Sequence, residues 1–212
     1  DDHTKIKNSD GSVPGGSKHD NGNGNENSKP NFTDVPDDWG KNHIDYLSQR
    51  GIINGKGENK FAPNDNITRA EFVTILYRIS GETADIASAQ KFSDVQSGSW
   101  FYDAVNWAVS KEITTGISDS QFAPNQKITR EQLATMLVRF ANYMNYYIPT
   151  KNTPVTFADD AEISGYSKEA VYLMQKAGII NGRSNNHFAP KAPATRKEAA
   201  KMLSILLQSA GK

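Results

Sequence analysis

From Phe32 to Leu207 the chain carries one pattern three times, and that repetition limits its fold more than any other feature. Phe32-Thr-Asp-Val35 is echoed by Phe92-Ser-Asp-Val95 and Phe157-Ala-Asp-Asp160. Phe61-Ala-Pro63 returns as Phe122-Ala-Pro124 and Phe188-Ala-Pro190, and Ile67-Thr-Arg69 as Ile128-Thr-Arg130 and Ala194-Thr-Arg196. The three arginines stand 61 and then 66 residues apart, so each copy is a supersecondary unit rather than a short fibrous repeat.

Each copy reads as helix, loop, helix. A first helix is expected over about 38–50, with Ile44 and Leu47 matched by Val105 and Ala108, then by Val171 and Met174. Gly51 and Gly178 follow it where a glycine ends a helix; the middle copy has Glu112, so its exit is expected to differ. In the second helix Phe72, Ile75, Leu76 and Ile79 fall at i, i+3, i+4 and i+7, an apolar face. Leu133, Met136, Leu137 and Phe140 repeat it, as do Ala199, Met202, Leu203 and Leu206. No single pair of helices can cover these stripes, so the three copies must pack together.

Residues 1–31 differ. Their Asn21 to Pro30 stretch has no large apolar side chain, so the segment is expected to be a flexible linker. The chain opens Asp1-Asp2-His3, which suggests a piece of a longer precursor with a cargo domain upstream. The copies divide as 32–91, 92–156 and 157–212 and are expected to form one module. The 24 basic residues balance the 24 acidic ones, which argues against bulk capture of nucleic acid. No apolar run is long enough to span a membrane. The absence of cysteine removes disulfides and thiolate chemistry.

Every second helix opens with Thr-Arg-x-Glu or Thr-Arg-x-Gln: Thr68 to Glu71, Thr129 to Gln132 and Thr195 to Glu198. Threonine with Glu or Gln three residues on is a capping box. Losing its threonine costs about 1 kcal/mol. The arginine is not explained this way, because a cation in the first turn opposes the helix dipole by roughly 0.3–1 kcal/mol. Two readings compete. One is an ion pair to the next repeat, with Asp34, Asp94 and Asp159 as candidate partners. The other is an anion site, in which Arg69, Arg130 and Arg196 join free helix N–H groups around a carboxylate or phosphate. On the second reading, Arg69→Ala weakens binding and leaves stability nearly unchanged.

Two further elements recur. Gly55, Gly116 and Gly182 each stand 14 residues before the motif arginine, either because the turn needs positive φ or because bare backbone admits a ligand. Trp39, Trp100 and Tyr166 open the first helices, either as core packing or as rings at a groove edge that cover a sugar face. Rival chemistries fare worse. The Asn64-Asp-Asn66 stretch fails the ligand spacing of a calcium loop. His3, His19, His43 and His187 do not recur between copies, and no nucleophile-and-base pattern stands out, so the chain is not expected to be an enzyme or to need a cofactor.

The Phe-x-Asp-Val openings, the Gly-Ile-Ile-Asn-Gly turns at 51–55 and 178–182, the Phe-Ala-Pro loops and Ile-Thr-Arg-Ala-Glu at 67–71 together resemble the S-layer homology family. The middle motif departs from it with Glu131-Gln132, and the third with Ala194, Lys197 and Asp160. The resemblance implies an all-α fold, three helix–loop–helix repeats in a pseudo-threefold arrangement around a central helical bundle with grooves between lobes. It implies an exported, cell-surface module that anchors its cargo to acidic, often pyruvylated, cell-wall polysaccharide. Arg69, Arg130 and Arg196 would bind the acidic sugar, with Gly55, Gly116 and Gly182 lining the grooves; Asp34, Asp94, Trp39 and Trp100 complete the candidate site. A protein–protein module of a surface array is the alternative.

Overall fold

The computed structural model describes residues 31–83 and 91–212; the expected linker before residue 31 lies outside them. Six α-helices appear in order: α1 Lys41–Gln49, α2 Arg69–Ser80, α3 Tyr102–Ser110, α4 Arg130–Tyr143, α5 Gly165–Lys176 and α6 Arg196–Ser209. Two single 3-10 turns, Asp160–Glu162 and Ser184–Asn186, complete the regular structure, and there is no sheet among the described residues. The all-α class is the one the helical periodicity predicts.

The second helices begin where the capping boxes require. Thr68 Oγ1 accepts from the Glu71 N–H at 3.1 Å, and the Glu71 carboxylate accepts from the Thr68 N–H at 2.8 Å. The same reciprocal pair closes on Thr129 with Gln132 and on Thr195 with Glu198. The first helices have no side-chain cap; α1 starts at Lys41, later than expected, because the Asp38 carboxylate holds the Gly40 N–H in a preceding turn. Their exits are alike in all three copies. Gly51 and Gly178 have φ of 66° and 72°, and Glu112 takes φ 57° at the same place. The middle exit therefore keeps its geometry and accepts the left-handed backbone without glycine.

Helix pairing crosses the sequence repeats. The first helix of each copy packs on the second helix of the copy before it: α3 on α2, α5 on α4 and, closing the circle, α1 on α6. Across that last seam His43 Nδ1 lies 2.6 Å from Ser204 Oγ, and the Tyr46 hydroxyl bonds the Lys212 carbonyl. The residues just before the motif arginines tie the copies together. The Ile67 N–H donates to Ala194 O (3.1 Å), Ala194 N–H to Ile128 O (2.9 Å), and Ile128 N–H to Ile67 O (3.0 Å). These three residues are fully buried, so a closed ring of backbone hydrogen bonds sits inside the core. Around it lie Phe72, Leu76, Leu133, Leu137, Phe140, Leu203 and Leu206, the apolar faces expected of the second helices.

Candidate functional site

Arg69, Arg130 and Arg196 are 3, 6 and 5% exposed, so their charges are held inside the molecule. Arg69 Nε donates to Phe122 O and Nη2 to Thr115 O, each at 2.9 Å. Arg196 reaches Phe61 O at 2.9 Å and Asn54 O at 2.8 Å. Arg130 reaches Phe188 O at 2.8 Å and Asn181 O at 3.4 Å. Each guanidinium also lies over the ring of the Phe whose carbonyl it holds, 4.5 to 5.0 Å from the centroid. Every motif arginine thus clamps the Phe-Ala-Pro loop and the glycine turn of another copy. Burial pushes all three below the ordinary guanidinium value, yet they stay cationic at neutral pH.

An ion pair to the next repeat forms at one of the three arginines, where Arg130 Nη1 meets Glu198 of the third copy at 2.7 Å, an acid other than the expected candidates. Asp34, Asp94 and Asp159 do not bridge to the arginines; they hold the loops that the arginines clamp. The Asp34 oxygens accept from the Phe61 and Ala62 N–H groups, both at 2.8 Å. Asp94 takes Phe122 and Ala123 at 2.9 and 2.7 Å, and Asp159 takes Phe188 and Ala189 at 2.8 and 2.7 Å. Ala62, Ala123 and Ala189 are left-handed, with φ of 57°, 59° and 56°, a conformation costing about 1–2 kcal/mol that the carboxylates fix. Burial raises the Asp34 and Asp159 carboxyls, but the two N–H donors on each outweigh it and hold both below their ordinary value.

The free helix N–H groups expected at the site are already used. The Arg69 and Ala70 N–H groups donate to Gln126 O and Pro124 O, Arg130 and Glu131 to Ala192 O and Pro190 O, and Arg196 and Lys197 to Asp65 O and Pro63 O. The third N–H of each helix goes to the capping threonine. The first-turn N–H groups of the second helices are therefore not open to a ligand.

Gly55, Gly116 and Gly182 do not have positive φ. A Cβ on Gly55 would stand 2.6 Å from the Phe32 ring and from Lys60 O; one on Gly116 would stand 2.4 Å from Phe92 and Ser118 O. Gly182 is looser, with Phe157 at 3.3 Å. The close approach that demands glycine is made by the repeat's opening Phe, which packs on the Phe of its own loop at 5.3 to 5.8 Å. The positive-φ reading therefore falls, and an internal cause for glycine stands in its place.

Three open cavities result, each along one second helix and each built from all three copies. The α2 groove, of about 200 Å³, is lined by Asn54, Glu71, Thr74, Ile75, Arg78, Trp100 and Arg196. The α4 groove, of about 380 Å³, has Thr115, Gly116, Gln132, Thr135, Met136, Arg139, Tyr166 and Arg69. The α6 groove, of about 330 Å³, has Asn181, Gly182, Arg183, Glu198, Lys201, Met202, Trp39 and Arg130. Gly55 lines none of these. Trp39, Trp100 and Tyr166 are 52, 64 and 57% exposed at the groove edges, so the aromatics are not core. Trp39 lies under the Lys197 ammonium at 4.7 Å.

Second cations were not anticipated. Arg78 and Arg139 stand nine residues after their motif arginines, and Lys201 five after Arg196; the matched offset of the first two was a signal in the sequence. In the α6 groove Glu198 offsets the cations by pairing with Arg130 and Arg183, whereas in the α4 groove Arg139 adds its charge to that of Arg69 and one wall is aromatic. Such a pocket suits a small ring bearing an anion.

Helix pairs joined through buried arginine clamps, with cationic, aromatic-edged grooves between copies, define a tandem-repeat binding module. The chain belongs to the S-layer homology domain family, which matches it at residues 31–73, 91–134 and 156–200. It is 36% identical over 180 residues to an amylopullulanase of Thermoanaerobacterium thermosulfurigenes, covering 85% of this chain and 10% of that protein. It is 34% identical over 177 residues to exoglucanase XynX of Acetivibrio thermocellus, with 84 and 16% covered. It is 33% identical over 175 residues to the S-layer protein sap of Bacillus anthracis, with 81 and 20% covered. The chain spans a fifth or less of these relatives' length. Family and relatives identify a module of secreted, wall-attached cell-surface proteins.

Proposed function

We propose that this module anchors an exported protein to the bacterial cell wall by holding acidic, pyruvylated polysaccharide in its inter-repeat grooves. The observation that carries the reading is the residual donor capacity of the buried arginines. Nε and Nη2 of Arg69 and Arg196 are taken by carbonyls, while Nη1 has no partner among the described residues and keeps contact with solvent. A fixed cation with a spare N–H group, beside Arg139 or Arg78 and an exposed ring, is preorganised for one carboxylate on a rigid sugar. Several such grooves on one polymer add avidity, since each later contact is intramolecular. The reading gives this chain no catalytic step and places the cargo in another part of the same protein, as in relatives five or more times longer than the matched region.

Co-sedimentation with purified cell-wall sacculi tests it. Binding is expected to sacculi that keep their acidic polymer and to fall to background after its chemical removal. Undiminished retention by stripped sacculi would instead support a protein partner.

A further inference from the structure

Among the differences between the three grooves, one bears directly on the buried arginine: the Glu or Gln that closes the capping box. In the α6 groove Glu198 Oε1 accepts from Arg130 Nη1 at 2.7 Å and from Arg183 at 2.9 Å, so every nitrogen of that arginine is occupied. In the α2 groove Glu71 leaves a carboxylate facing Arg196, engaged at 3.3 Å by Lys56, in the smallest of the three cavities. In the α4 groove the box is closed by Gln132. Its Oε1 serves the Thr129 N–H, and its Nε2 is a donor with solvent contact and no partner among the described residues. No carboxylate there competes with a ligand for Arg69. This groove also continues into a cavity of about 220 Å³ that shares Thr135, Arg139 and Tyr166 with it and adds Asn142 and Glu169.

We propose that the α4 groove is the principal carbohydrate site, and that its two joined cavities take two consecutive sugar units. The acidic unit sits at Arg69 Nη1 and Gln132 Nε2; a neutral unit lies past Tyr166, bonded by Asn142 and Glu169. The inference rests on the acidic-sugar reading and adds which groove binds, why, and how far the site extends. Glu198 keeps the α6 groove closed to anions by satisfying Arg130 internally.

Calorimetry on the full chain tests it, using a synthetic methyl hexopyranoside with a 4,6-pyruvate ketal and the disaccharide that extends it by one neutral hexose. Wild type is expected to show one dominant site. Gln132→Glu, which keeps the capping box just as Glu71 and Glu198 do, should weaken binding roughly tenfold or more, the worth of one charge-assisted hydrogen bond. Glu198→Gln should free Arg130 and raise the stoichiometry from one to two. The disaccharide should bind more tightly than the monosaccharide, and Asn142→Ala should erase that gain. If Gln132→Glu binds like wild type, or Glu198→Gln adds no site, the groove assignment falls while the acidic-sugar reading stands. A disaccharide that binds no better than the monosaccharide overturns the second subsite. If wild type binds neither sugar, reading and inference fall together.

Discussion

Arg69 is cationic at a helix start because its charge is balanced by carbonyl oxygens of another copy and not by an acid. This reverses the expectation drawn from its position alone. Arg69→Ala would leave Phe122 O and Thr115 O without their donor in a nearly dry clamp, so a loss of roughly 3 kcal/mol or more is expected by urea unfolding. Arg69→Lys keeps the charge but cannot span both carbonyls, and should fall between the two. The acids make a second prediction. Because the folded Asp34 and Asp159 carboxyls lie below the ordinary value of 3.8, their contribution is complete above that value and is lost as pH falls through their lower folded values. Asp34→Asn should therefore flatten part of the stability curve below about pH 4, measured by denaturant midpoints at stepped pH.

Among elements, the second helices were legible and the loops were not. Period and cap of α2, α4 and α6 follow from local chemistry, so Thr68, Thr129 and Thr195 were assigned correctly from sequence alone. Thr129→Ala should cost about 1 kcal/mol, read as a fall in Tm. The exit of α3 offers the opposite sign: Glu112→Gly relieves a left-handed backbone at φ 57° and should stabilise by up to about 1 kcal/mol in the same measurement. The positive-φ reading of the glycine turns fails because what presses on Gly55 and Gly116 is a Phe more than 20 residues earlier, and a local pattern cannot report such a contact. The edge aromatics were undecidable for a related reason. Whether Trp39 is covered depends on α6 lying beside it, where Lys197 and Lys201 stand over its ring.

For the whole molecule, the need for three copies to pack together was visible in stripes too wide for one pair. Which helix meets which was not, because similar repeats offer much the same face to every partner. The answer, first helix on the preceding second helix, makes the copies interdependent. A chain ending at residue 156 would leave α1 and α4 without their partners and open the Ile67–Ile128–Ala194 ring. It is expected to lose cooperative unfolding, checked by circular dichroism and amide dispersion in NMR.

The closure of α1 on α6 bears on how the module behaves under load. Tension applied at Asn31 reaches the Phe32–Phe61 contact and the seam where Tyr46 meets Lys212 before it reaches the peptide ring. Under strain the first and last helices would part while Arg69 still clamps the α4 groove, so the joint would slip at its rim before letting go of what it holds.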